Sequence, residues 1–263
     1  MVVIKKDIVF DPAHKLATDI YYPNDTSSAT KILIFWHGGG WFRGDKKGLK
    51  SLGVDMANAG FMTFIPNYRL APGDIFPAAH QDCETFVKWL LASEYTDPDD
   101  QANIYQIGAS CGGTMALALA GKYGFPTITW SAPVDFSNWF KNHPEVVPSP
   151  QAKEELGLEK REDIAKAFYK YFVQTYAGSA DQKVLQKLDA TSYDYQNLGP
   201  LFMLNSVAEL TPLSGVLQFI SFLGEQNKSV QLLTLPGHGH AMDYSAEYLD
   251  ESLDYLRQIA KRR

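Results

Sequence analysis

Short, nearly continuous apolar runs recur along the chain, separated by longer stretches with helical periodicity. Lys31–Trp36, Phe61–Ile65, Ile104–Ile107, Thr127–Trp130, Leu201–Leu204 and Val230–Leu235 are runs of the first kind. Runs of this length suit strands covered on both faces. Ahead of them, residues 2–10 and 16–22 read as two strands joined by a turn at Asp11-Pro12-Ala13-His14. Residues 78–92 place Ala79, Cys83, Phe86, Val87 and Leu90 on one helical face. Residues 112–122 are small and apolar, which suits close helix–sheet packing, and residues 213–226 form a further helix. Over 245–260, Leu249, Leu253, Leu256 and Ala260 recur at helical spacing. Strands alternating with helices predict an α/β fold, with a mainly parallel sheet covered on both faces.

Residues 136–199 break this rhythm. The stretch opens with Phe136, Trp139 and Phe140 and contains a strongly amphipathic helix. Its apolar face is Ile164, Ala167, Phe168, Tyr171, Phe172 and Tyr176, and it stops at Gly178. The expected organisation is therefore one domain over 1–263, with a helical cap inserted at 136–199.

Composition narrows the function. At 263 residues and 45% hydrophobic content the chain can bury one sizeable core. The net charge is -6 and the basic residues are scattered. The Lys46-Lys47 pair and the terminal Lys261-Arg262-Arg263 read as solvated surface, so nucleic acid is not the expected partner. The only cysteines, Cys83 and Cys111, have no metal-ligand spacing, and no disulfide is implied between a helix and a sharp turn. The first residues lack the apolar core of a signal peptide, and no apolar run approaches a membrane span. The cytoplasm is the expected location.

Three loops carry candidate chemistry. Gly108-Ala109-Ser110-Cys111-Gly112 fits G-x-S-x-G, follows the strand 104–107 and opens the helix 112–122. A serine at such a strand-to-helix turn sits strained and exposed at the carboxyl edge of the sheet, beside the N–H groups of the helix start. His37-Gly38-Gly39-Gly40-Trp41 follows the strand 31–36. Its glycines let backbone N–H groups turn inward, so Gly39 and Gly40, with Cys111 N–H, can surround an oxyanion. His37 is expected to anchor this loop by hydrogen bonds. Leu235-Pro236-Gly237-His238-Gly239-His240 lies between the last strand and the last helix, where either histidine can serve as base to Ser110. The acid belongs after the strand 201–205, where Glu209 is the loop's only carboxylate. Asp194 is the alternative, and Asp243 follows the histidines, out of order.

Together these blocks resemble the hormone-sensitive-lipase-like esterases of the α/β-hydrolase superfamily. The resemblance rests on His37–Trp41 with Gly44-Asp45, on Asn67-Tyr68-Arg69-Leu70-Ala71-Pro72 leading to Phe76-Pro77-Ala78-Ala79, and on Gly108–Gly113. It implies an α/β-hydrolase fold and a carboxylesterase with Ser110 as nucleophile, Glu209 as acid and Gly39, Gly40 and Cys111 as oxyanion donors. The family's terminal G-x-x-H falls on Gly237 and His240, which favours His240 over His238. Ala109 and Cys111 replace the family's usual Asp and Ala, and Glu209 its commoner Asp. The substrate implied is a small-molecule ester, with no metal or cofactor, and by analogy the chain forms a homodimer. Trp41, Trp139 and Phe140 are the expected pocket residues. Similar loops occur in kynurenine formamidases, which makes an amidase the second expectation. Gibberellin receptors resemble the family but lose its histidine, whereas Ser110 and His240 are both present here.

Overall fold

The computed structural model describes residues 2–24, 31–96 and 103–262. Met1 and Arg263 lie outside the described residues. Among the described residues eight strands form one sheet: β1 (Val3–Asp11), β2 (Leu16–Tyr22), β3 (Lys31–Trp36), β4 (Phe61–Pro66), β5 (Ile104–Ala109), β6 (Thr127–Trp130), β7 (Leu201–Ser206) and β8 (Gln231–Leu235). Their spatial order is β1-β2-β4-β3-β5-β6-β7-β8. β1, β2 and β4 pair antiparallel, and from β4 to β8 the pairing is parallel. This is the expected mainly parallel α/β sheet.

The apolar runs bury both faces because alternate residues feed different cores. In β3, Ile32, Ile34 and Trp36 join Phe86, Val87 and Leu90 of α2 (Ala78–Leu91) and Met115 and Ala116 of α3 (Cys111–Tyr123). Leu33 and Phe35 face the other way, toward Leu253 and Leu256 of the C-terminal helix and Leu52 and Met56 of α1 (Lys50–Asn58). That Lys50–Asn58 helix has no counterpart among the elements expected from the sequence. Gly48, Gly53 and Gly60 punctuate a stretch whose apolar face is short. The expected helix over 245–260 is divided into Tyr244–Glu247 and Leu249–Arg262. Among the described residues no helix is long and apolar enough to cross a membrane.

Four helices lie between β6 and β7, at Ser137–Asn142, Ala152–Leu156, Arg161–Ala177 and Gln182–Leu188. The third is the amphipathic helix seen in the sequence, closed by Gly178 at φ 66°. Buried Asp189 clasps the two ends of this insertion. Its carboxylate accepts from the N–H groups of Phe136 (2.7 Å) and Ser137 (3.0 Å) and from the Ser137 hydroxyl.

One charge reading is corrected. Lys46, expected on the solvated surface, is 2% exposed. Its ammonium meets Asp19, itself buried, and Asp7, both at 2.5 Å, tying the segment after β3 to the β1–β2 hairpin. Burial is tolerated because the charge is paired within the fold. Lys46→Met strands the Asp19 carboxylate and is expected to cost about 3–5 kcal/mol of stability, read from urea denaturation.

Candidate active site

The loops after β3, β5, β6, β7 and β8 converge at the carboxyl edge of the sheet, where open α/β sheets place their ligands. Ser110 stands between β5 and α3 at φ 52° and ψ −126°, a conformation costly for a residue with a side chain. Its N–H donates to the Trp130 carbonyl (2.7 Å), and its carbonyl accepts from Gly113 N–H (2.7 Å). The turn closes so tightly that a Cβ at Gly112 would lie 2.2 Å from the Trp36 carbonyl oxygen, and one at Gly108 would lie 2.5 Å from that of Gly112. These contacts explain the G-x-S-x-G pattern through backbone approach.

His240 Nε2 lies 3.1 Å from Ser110 Oγ, and His240 Nδ1 is hydrogen-bonded to Glu209 Oε2. The Glu209 carboxylate is fully shielded from solvent, while the imidazole is 24% exposed. Glu209 Oε1 accepts from Ser206 N–H (2.8 Å) and from the hydroxyls of Ser131 (2.9 Å) and Tyr244 (3.0 Å). With the Nδ1 proton held on the carboxylate side, the Nε2 lone pair faces the serine hydroxyl. This is the geometry of proton abstraction from a nucleophile.

Ser131 and Tyr244 escaped the sequence reading. Ser131 directly follows β6 at φ 56°, receives the Thr211 hydroxyl on its carbonyl (2.9 Å) and Ala241 N–H on its own hydroxyl (2.9 Å). It thereby joins the acid loop to the histidine loop. The Tyr244 hydroxyl also reaches the Gly239 carbonyl (2.9 Å). Burial, then the Glu209 charge, push its pKa up to about 12, so it remains a neutral donor. Ser131's position at a carboxyl strand end was the available signal. Tyr244 had none.

The other candidates fall elsewhere. His238 bonds its Nδ1 to the Ala208 carbonyl (2.5 Å). Asp243 accepts the backbone N–H of His240 (2.8 Å) and so holds the loop rather than the imidazole. Asp194, exposed, caps Gln196 N–H.

The glycine loop is suspended from the second sequence block. Tyr68 donates its hydroxyl to the His37 carbonyl (2.8 Å) and stacks on the His37 ring at 4.2 Å. Ala71 N–H donates to the Trp41 carbonyl (2.8 Å), and Lys46 N–H to Asn67 Oδ1 (2.9 Å). Arg69 anchors this block by a forked contact with Asp82. His37 Nδ1 donates to the Gly38 carbonyl (2.8 Å), and burial lowers the imidazole to about pKa 4, so it stays neutral. The Cys111 thiol, raised to about pKa 11 by burial, sits behind the loop and accepts from Trp41 N–H (3.3 Å).

Gly38, Gly39, Gly40, Ser110 and His240 share a cavity of about 360 Å³, completed by Phe168 and Phe172 of the Arg161–Ala177 helix. A Cβ at Gly40 would lie 2.9 Å from that of Phe172, so the insertion presses directly on the loop. The expected pocket residues need correction here. Trp41 is 0% exposed and stacked on Tyr176 at 4.5 Å, so it supports the loop from beneath. Phe140 is also buried in the core and lines neither this cavity nor the neighbouring one, under Lys170. Trp139 lines the neighbouring cavity, beyond His240.

The fold is the α/β-hydrolase fold. The BD-FAE family model matches residues 18–128. Tuliposide A-converting enzyme 2, chloroplastic, of Tulipa gesneriana is 32% identical over 132 residues, which are 45% of this chain and 35% of that protein. Probable carboxylesterase 4, mitochondrial, of Arabidopsis thaliana is 24% identical over 138 residues, 46% of this chain and 37% of that one. The chain thus spans about a third of the length of the curated relatives it matches. The crystal structure of esterase B from Lactobacillus Rhamnosis (HN001) superposes with a TM-score of 0.74 at 17% identity, covering 99% of this chain and 87% of that one.

Gly39 adopts φ 119°, and a Cβ there would lie 2.0 Å from the Arg43 carbonyl oxygen, whereas a Cβ at Gly48 would meet nothing within 4 Å. Gly39→Ala is expected to destabilise the fold by more than about 1 kcal/mol, and Gly48→Ala to leave it unchanged or raise it by about 0.4–1 kcal/mol. Paired thermal melts check the contrast.

Proposed function

We propose that this chain is a serine carboxylesterase that hydrolyses small or short-chain esters through an acyl-enzyme on Ser110. The observation that carries the reading is the hydrogen-bonded line from Ser110 Oγ through His240 to the shielded Glu209, at the edge of a cavity bordered by the glycine loop. The matched relatives, named as converting enzymes and carboxylesterases, support it.

In this mechanism His240 Nε2 takes the Ser110 proton as Oγ bonds to the ester carbonyl carbon. The carbonyl oxygen becomes an oxyanion, met by the N–H groups of Gly39, Gly40 and Cys111. Collapse re-forms the carbonyl and breaks the bond to the alcohol oxygen, which leaves with the proton from His240. Water, deprotonated by His240, then attacks the acyl carbon, and Ser110 regains its proton as the acid departs. Glu209 keeps the imidazole oriented and stabilises it while it is charged. Residues 136–199 act as the cap: Phe168 and Phe172 bound the cavity, and its volume of about 360 Å³ suits a small acyl group.

On p-nitrophenyl acetate, Ser110→Ala is expected to lower kcat by about 10⁴-fold or more, because the three residues act as a unit. A serine-reactive phosphonate is expected to label the wild type and not the variant. Absence of both turnover and labelling in the wild type overturns the reading. Tyr244→Phe removes one donor to Glu209 and is expected to lower kcat/KM about tenfold, in line with loss of one hydrogen bond to a charged group. Circular dichroism separates that loss from unfolding.

A further inference from the structure

The Arg161–Ala177 helix supports the glycine loop at a second point besides Phe172. Trp41 directly follows Gly40, and its ring lies flat on Tyr176, with centres 4.5 Å and planes 11° apart. Trp41 is fully buried and held at φ 61°, a conformation that persists only where the surroundings impose it. Tyr176 is held in turn by His80 of α2. His80 Nδ1 lies 2.8 Å from the Tyr176 hydroxyl, and Nε2 lies 3.1 Å from that of Tyr193, on the return path of the insertion. One imidazole thereby joins α2 to both limbs of the insertion.

The direction of these bonds follows from the proton count. The Tyr193 hydroxyl donates its one proton to the Leu188 carbonyl (2.8 Å), so its oxygen accepts from His80 Nε2. Nδ1 is then the bare nitrogen, and it accepts the Tyr176 hydroxyl. Burial lowers His80 to about pKa 3, so this neutral tautomer persists. The Phe76 ring meets both His80 and Tyr176 edge-on, and Phe76 N–H donates to the Tyr176 carbonyl (2.7 Å). His80 is not part of the wall of the Ser110 cavity, so any effect it has on the reaction passes through these neighbours. We propose that His80 is a positioning residue for the esterase reaction: by fixing Tyr176 beneath Trp41, it sets the Gly39 and Gly40 N–H groups where the oxyanion forms. The proposal rests on the esterase reading and on the part of the glycine loop in it.

The test compares 4-nitrophenyl acetate with its thionoester, in which sulfur replaces the carbonyl oxygen. The sulfur anion is larger and a weaker acceptor, so correctly placed N–H donors favour the oxygen ester. The readout is the ratio of kcat/KM for the oxygen ester over that for the thionoester. Each ratio is taken within one preparation, so any loss of folded protein cancels. His80→Leu and Tyr176→Phe are each expected to lower the ratio about tenfold, and their combination no further, because both break the same bond. His80→Asn, whose Oδ1 stands in for Nδ1, is expected to keep the ratio near that of the wild type. An unchanged ratio in Tyr176→Phe overturns the proposal, as does a fall in His80→Asn equal to that in His80→Leu. A wild type that hydrolyses the acetate without favouring it over the thionoester overturns the part of the glycine loop, and this inference with it. A wild type that neither hydrolyses the acetate nor reacts with a serine-directed phosphonate overturns the esterase reading itself.

Discussion

The site depends on one close approach of backbone to backbone, where the start of α3 abuts the end of β3. At Gly112 there is no room for a Cβ beside the Trp36 carbonyl, and that contact sets the height of Ser110 above the sheet. Ser110 keeps its positive φ because the surroundings over-determine it: its N–H is bonded across to β6, its carbonyl back to Gly113, and glycines flank it where other residues would clash. The same approach brings the glycine loop, which continues directly from Trp36, alongside the serine. A Cβ at Gly38 would lie 3.2 Å from that of Ser110.

Everything else at the site orients groups toward that fixed point. The loop after β3 has little internal structure, and it is held by the Asn67–Pro72 segment below it, Trp41 on Tyr176 beneath and Phe172 against Gly40. On the opposite side Ser131, Ser206 and Tyr244 direct their donors at one oxygen of Glu209, leaving the other for His240. The Glu209 carboxylate is met by partners from three separate segments. Their hydrogen bonds compensate the burial of the charge.

The helical insertion borders both cavities at the sheet edge. The face of the Arg161–Ala177 helix that includes Phe172 and Tyr176 packs on the loop that borders the Ser110 cavity, and its first turns line the second. A change on this helix can therefore alter the shape of either cavity. The Asp189 clasp at the neck of the insertion joins its two ends and fixes where the helix emerges from the sheet.

The alternation of short apolar runs with helical stretches by itself determined the α/β architecture, because strands that alternate with amphipathic helices are covered by them on both faces. The local motifs located Ser110, the glycine loop and the histidine segment, since close backbone approach demands glycines at fixed spacing. The helix at Lys50–Asn58 stayed hidden because its buried face is small, and Lys46 was misread because a lysine's pairing with Asp19 spans 27 positions and leaves no local pattern. Only the tertiary structure decided which histidine meets the serine, that Ser131 and Tyr244 share the acid's burial, and that Phe168 and Phe172 rather than Trp41 and Phe140 wall the cavity. Those outcomes depend on which residues from distant segments meet at the sheet edge, and aromatic residues look alike in sequence whether they end beneath a loop or beside a cavity.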